Sequence, residues 1–259
     1  SSDVCSSDLI AFQLSTLGFL SNSCRSFMVL ILTRRRGTLK GMTFKLLADI
    51  SKPRVPALSI GVTGHRPDKL GGYDFGNPTR KRLREEVRKA TEALILSARR
   101  DGMDAGFRNR FLKQVRWQNG WEVDEKWRAI EVLCLHGGAQ GADQDAAAEW
   151  YRMGLPYVVV APFPGQEGPW PKESQARFRK VLEYAAGVFF VSDTAPTNRH
   201  DASKMLLQRN VTLCQMSDEL IAVWDGSSGG TAHCVNWWLA LVSGAHLTHL
   251  DPQTWKLLP

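Results

Sequence analysis

Residues 219–236 carry the densest chemistry in this chain. An apolar run, Leu220-Ile221-Ala222-Val223-Trp224, breaks into Asp225-Gly226-Ser227-Ser228-Gly229-Gly230-Thr231, and helix-like sequence follows. A buried strand that delivers a glycine turn to the start of a helix builds an anion site. The glycines leave no Cβ in the way, and the first N–H groups of the helix have no intrahelical acceptor. Ser227, Ser228 and Thr231 add hydroxyl donors, and the helix dipole adds the equivalent of about half a positive charge. Phosphate is the expected guest; the competing reading is a strand-to-helix connection that binds nothing.

Other turns offer compatible groups. Thr63-Gly64-His65-Arg66 closes an apolar run over 58–63. Arg66 can form a bidentate pair with phosphate or simply pair with a neighbouring carboxylate, and His65 can donate a hydrogen bond, shuttle a proton or merely cap the turn. His136-Gly137-Gly138-Ala139-Gln140-Gly141-Ala142-Asp143 is a second glycine-rich turn opening a helix, but it is neither GxGxxG nor a phosphate loop ending in Gly-Lys-Ser/Thr. Asp143 can hold a ribose hydroxyl or favour the helix N-terminus. In the Pro- and Gly-rich loop 162–170, Gln166 offers an amide, while Trp170 stacks a base or anchors the loop on the core. Ser192-Asp193-Thr194 supplies further hydroxyls, and Arg209-Asn210 lie on a helix whose direction the sequence leaves open.

The elements that must position these turns alternate along the chain. A strand at 58–63 precedes a long amphipathic helix, with Thr79 as N-cap and Leu83, Val87, Ala90, Leu94, Leu96 and Ala98 at helical spacing. Strands follow at 130–135, 157–161, 188–191, 220–224 and 246–250, separated by helices at 142–153, 174–185, 201–216 and 231–242. Single helices between strands predict right-handed crossovers and an α/β fold, a doubly wound, mostly parallel sheet with helices on both faces. Ligands of such sheets bind beyond the carboxyl ends of the strands, where all of these turns fall. Residues 102–128 break the alternation and read as an insertion, with Trp117, Trp121 and Trp127 among mixed charges.

The chain has 259 residues and a formal charge of +7, of which the first 41 residues contribute a net +3, leaving +4 for the remainder. That is weak support for nucleic acid and suits small anionic ligands. Residues 1–9 look like a translated sequencing-adapter oligonucleotide. The apolar runs at 10–20 and 27–32 are too short and broken to span a bilayer, and no signal-peptide pattern is clear. The expectation is therefore a non-native or disordered leader over 1–41, a start at Met42, one domain over 42–259, and no membrane association. Five cysteines show no metal spacing; they predict buried thiols in a reducing cytoplasmic compartment and no metal site.

Val62-Thr63-Gly64-His65-Arg66-Pro67 with Leu70-Gly71-Gly72-Tyr73, Gly137 to Asp143, Pro162-Phe163 with Gln166 and Trp170, Arg209-Asn210, and Asp225 to Thr231 together resemble the YpsA/YoqJ-type branch of the SLOG superfamily. These are Rossmann-like proteins of bacteria and phages, related to DprA/SMF and to the LOG phosphoribohydrolases. The resemblance covers about residues 58–250. It implies a pocket for a nucleotide or nucleotide-derived ligand (AMP, NAD or ADP-ribose-like), with the glycine turns at 137–141 and 226–230 on its phosphates. LOG enzymes place a catalytic Glu shortly after their Gly-Thr, whereas Gly230-Thr231 is followed here by Ala232-His233-Cys234-Val235. Without that acid–base group the expected role leans from catalysis toward ligand binding or sensing. The alternatives are an N-glycosidase or nucleotide hydrolase using His65, Asp143 or His233, and DprA-like single-stranded DNA binding. Homo-oligomerisation is left open.

Overall fold

The computed structural model describes residues 58–100, 132–241, 247–255 and 257–258. The strands are β1 (Leu58–Gly64), β2 (Val132–His136), β3 (Tyr157–Ala161), β4 (Gly187–Phe190), β5 (Glu219–Val223), β6 (Leu247–Leu250) and β7 (Leu257–Leu258). The helices are α1 (Pro78–Arg100), α2 (Ala142–Arg152), α3 (Lys172–Tyr184), α4 (Arg199–Met216) and α5 (Gly230–Leu241), and a 3₁₀ turn covers Pro67–Lys69. Every expected strand and helix within the described residues is present. The insertion expected over 102–128 and the leader over 1–41 lie outside them.

The strands form one sheet in the order β4-β3-β2-β1-β5-β6-β7. All neighbours are parallel except β6 and β7, a short antiparallel pair that the sequence did not announce. From β1 the chain winds outward through β2 and β3 to β4, then returns across the sheet to β5 on the other side of β1. The direction of winding therefore reverses between β1 and β5, and that reversal opens the crevice in which such folds bind ligands.

Both faces of the sheet are apolar, as a parallel sheet between helices requires. Val132, Cys134, Tyr157 and Val159 face one side with Leu83, Val87 and Trp150 of α1 and α2. Leu133, Leu135, Val158 and Val160 face the other with Leu213 and Trp238 of α4 and α5. On the α4 side β1 presents only Ser59, Gly61 and Thr63; a Cβ at Gly61 would collide with Ser217 and Leu220, so the small residues let α4 close on the strand. The Ser59 hydroxyl donates to the Met216 carbonyl at the end of α4 (2.8 Å). Between α1 and α2, the buried Asp145 carboxylate accepts from Arg80 Nε and Arg84 Nη1, each at 2.7 Å.

Candidate functional site at the β1–β5 switch point

The loop leaving β1 ties the two glycine-rich turns together. The His65 N–H donates to the Val223 carbonyl at the end of β5 (3.0 Å), and the His65 carbonyl accepts from Ala142 N–H at the start of α2 (3.1 Å). Two glycines permit this closeness. A Cβ at Gly64 would strike Ala142 and Val223, and one at Gly141 would strike the His65 carbonyl and the Arg66 backbone. Gly141 also has φ 99°, a left-handed conformation suited to glycine.

The His65 side chain reaches the third turn. Its Nε2 lies 2.7 Å from Asp225 Oδ1 and 3.0 Å from the Asp225 backbone nitrogen. One neutral ring nitrogen cannot both donate to the carboxylate and accept the amide. The Asp225 N–H points at Nε2 as a donor, but the shorter, charge-assisted contact to the carboxylate is the stronger of the two, and on that ground we assign the proton to Nε2. Burial pulls the His65 pKa below its ordinary 6.5, against the pull of Asp225. Asp225 is held well below the usual carboxylate range, first by the Ser227 hydroxyl and then by Lys69, the Ser227 N–H and His65, against the opposing effect of its partial burial. Lys69 Nζ lies 2.9 Å from Asp225 Oδ2 and also donates to the Ser227 hydroxyl.

Beyond Asp225 the turn is open. Gly226 and Gly229 have φ values of 83° and 142°, and a Cβ at Gly226, Gly229 or Gly230 would meet nothing within 4 Å. Ser228 is exposed, while Thr231 is buried at the first turn of α5. The turn is braced from behind by Trp224, whose indole N–H donates to the Ser227 carbonyl (2.7 Å) and whose ring stacks on His249.

The 137–141 turn differs, because groups from neighbouring elements fill it. Gly138 N–H donates to His136 Nδ1 (3.0 Å), and Ala139 N–H to Asp143 Oδ2 (3.1 Å). The Asp143 carboxylate thus faces its own turn; burial raises its pKa, against the attraction of Arg209 and of the Ala139 and Gly137 amides. Arg209 of α4 occupies the space a Gly137 side chain would need, with Nη1 3.4 Å from Asp143 Oδ2 and Nε unpartnered. Gln166 is buried with its amide 3.5 Å from the Gly137 carbonyl, and Gln140 Nε2 is buried without a partner. The Trp170 ring packs edge-on to Phe178 and against the core, the anchoring use of the two that the sequence left open.

Thr63, Gly64, His65, Arg66, Gly137, Gly138, Gly141, Asp143, Gln166 and the Asp225–Thr231 turn therefore converge around β1. Ser192 does not join them. It follows β4, three strands from β1, or about 14 Å at the usual strand spacing, and its hydroxyl turns to Thr194. One contributor, Lys69, escaped the sequence reading, and the direction of a second, Asn210, was left open. Lys69 is brought back over β1 by the 3₁₀ turn that Pro67 begins, a signal visible in the Pro-Asp-Lys order. Asn210 was noted without a direction; its Nδ2 donates to the Gly230 carbonyl (2.9 Å), so Arg209 and Asn210, adjacent on α4, brace one glycine turn each. No cluster of three or more His, Cys, Asp or Glu with metal-binding potential occurs among the described residues.

Fold and site together define a Rossmann-like α/β protein with its polar loops gathered at the β1–β5 switch point. No protein-family model matches the chain. Among curated proteins it is similar to the uncharacterised SPbeta prophage-derived protein YoqJ of Bacillus subtilis (strain 168), 28% identical over 140 residues, covering 48% of this chain and 75% of that protein. The resemblance to YoqJ-type proteins drawn from the motifs is thereby borne out. Solved structures with a similar course include DNA processing protein A of Streptococcus pneumoniae (TM-score 0.45, 12% identity, 76% of this chain and 50% of that one). The same protein of Helicobacter pylori, described for its single-stranded DNA binding mode, gives a TM-score of 0.42 at 12% identity over 76% of this chain and 66% of that one. TM1055 gives 0.37 at 15% identity over 73% and 72%. The chain thus spans about half of the pneumococcal protein.

Proposed function

We propose that the cleft between the ends of β1 and β5 binds a nucleotide-derived ligand, of the AMP, NAD or ADP-ribose kind, with a phosphate over the Gly226–Thr231 turn. The observation that carries this reading is the contrast between the two glycine turns. At 137–141 the missing side chains make room for Arg209, Phe178 and the His65 carbonyl, so packing alone accounts for those glycines. At Gly226, Gly229 and Gly230 nothing in the fold occupies the space; the left-handed backbone of Gly226 and Gly229 accounts for those two glycines, whereas at Gly230 neither packing nor conformation calls for one. An exposed stretch of bare backbone at a helix N-terminus, with hydroxyls on either side and Lys69 at its edge, suits close approach by an anion. Arg66, next to His65 in the β1 loop and with its backbone against Gly141, is exposed and takes no part in an ion pair among the described residues.

Thermal unfolding with each of the three nucleotides tests the reading. Ligand at 100 times its Kd stabilises the native state by about 2.7 kcal/mol, which for a domain of this size raises Tm by about 5–10 °C. Gly230→Asp separates binding from folding. A carboxylate at the first position of α5 favours the helix by about 0.3–1 kcal/mol, while its charge repels phosphate. The expected result is an unchanged or higher Tm without ligand and no rise with it. A full ligand shift in the variant would place the phosphate elsewhere.

A further inference from the structure

One cluster at this site does more than bind. His65 is fixed from every side: its N–H and carbonyl are engaged by β5 and α2, and its Nε2 is held at 2.7 Å by Asp225. Asp225 is itself fixed by the Ser227 N–H (2.9 Å) and Lys69. A binding site for a phosphate has no need of a histidine locked onto a carboxylate at its rim. With the proton on Nε2, the Nδ1 lone pair is left to act; no hydrogen bond among the described residues engages it, and it is not among the enclosed polar atoms. A carboxylate that orients an imidazole and would stabilise its protonated form is the arrangement of a general base.

We propose that this chain hydrolyses a phosphoanhydride, with His65 as the general base and Asp225 as its positioning residue. This rests on the ligand reading above. The bond class follows from what the cluster offers. It has a base, and the two less exposed carboxylates of the site are occupied, Asp225 by four donors and Asp143 by its own turn and Arg209, while Asp68 lies exposed on the 3₁₀ turn. A glycosidic bond needs its leaving group stabilised or protonated, whereas a phosphate leaves as an anion near neutral pH and needs no proton. The absence of a LOG-type Glu therefore does not count against this route. Water attacks the phosphorus held over the 226–231 turn, and as the new P–O bond forms the water proton passes to His65 Nδ1. The bond from phosphorus to the bridging oxygen breaks, and its electron pair departs on the leaving phosphate. Asp225 stabilises the imidazolium, which then returns its proton to solvent. Lys69, held on Asp225 and Ser227 at the edge of the turn, supplies positive charge to the equatorial oxygens. One water is consumed and two phosphomonoesters are formed.

The test incubates the full chain with ADP-ribose in ¹⁸O-water, identifies products by mass spectrometry, and follows AMP binding in parallel by thermal shift. The expected products are AMP and ribose 5-phosphate, one of them carrying a single ¹⁸O. His65→Asn should lower kcat by about 10²–10⁴-fold while the AMP shift persists. Asp225→Asn, which keeps the volume and removes the charge, should also lower kcat and provides a second arm if His65→Asn fails to fold. The charged groups facing His65 are Asp225, Lys69 and Asp68, and the base works unprotonated. The wild-type rate should therefore be full at neutral pH and fall on the acid side of 6.5, a limb absent from the residual rate of His65→Asn. An AMP shift without product from ADP-ribose would overturn the hydrolysis and leave the binding proposal standing. Undiminished turnover by His65→Asn, or release of free adenine or ribose, would also overturn it. Neither shift nor product would remove both.

Discussion

At the scale of single residues, the glycines divide into those that the fold occupies and those that it leaves bare, and only coordinates make that division. Gly141 shows the first kind. Its φ is 99°, and a Cβ would enter the His65 carbonyl, so Gly141→Ala combines backbone strain with a collision against backbone that cannot rotate away. Its expected cost is about 2–3 kcal/mol by urea denaturation. Gly154 has φ 70° with nothing within 4 Å, so Gly154→Ala isolates the conformational part at about 1 kcal/mol. Equal costs at the two sites would mean that the approach of the β1 loop to α2 is not tight. The sequence could mark all of these glycines as turn residues, because turn chemistry is local. It could not separate packing from openness, because the occupant of the Gly137 space, Arg209, is distant in sequence.

At the scale of elements, helix pairs set the geometry of the site. α1 and α2 are locked by Asp145, fully buried and held by Arg80 and Arg84. Asp145→Ala would leave two guanidinium groups buried without their counter-charge. Removing one partner of such a network costs about 3–5 kcal/mol, to be read as a lower urea midpoint at unchanged slope. On the opposite face, α4 carries Asn210 to the Gly230 carbonyl at the head of α5 (2.9 Å), while Cys214 and Cys234 pack as free thiols with Sγ atoms 3.6 Å apart. Asn210→Ala should cost about 1 kcal/mol of stability and weaken the nucleotide-induced Tm shift by more than that loss explains, since the carbonyl it orients belongs to the candidate cradle. The sequence placed both helices, because they fall between strand signals that are themselves local. The low contrast around α4, apolar and polar residues being mixed on all sides, concealed which way Arg209 and Asn210 point.

At the scale of the whole molecule, the sheet decides both what is buried and what is brought together. β2 runs one residue beyond its expected end and takes His136 fully into the interior, where burial and the nearby Arg209 push its pKa down to about 3. A base whose folded pKa lies below its unfolded value is protonated first in the unfolded chain. Stability is therefore complete above about pH 6.5 and is lost as pH falls from there toward 3. At 1.36 kcal/mol per unit, this one group lowers stability by about 2 kcal/mol between pH 7 and pH 5. His136→Asn keeps an acceptor for the Gly138 N–H and cannot be protonated, so denaturation at the two pH values should lose that part of the difference. Among the described residues no helix is long and apolar enough to cross a membrane; the apolar runs at 10–20 and 27–32 lie outside them. The order of strands and helices, their apolar faces and the glycine turns at their ends were determined by the sequence alone, because each follows from periodicity or backbone freedom within a few residues. Only the tertiary structure decided that β5 returns to lie beside β1. That pairing joins His65 to Asp225 across 160 residues, leaves Ser192 at the far edge, and opens the 226–230 turn while filling the 137–141 turn. Such contacts arise from sheet order and long-range packing, and no local pattern encodes them.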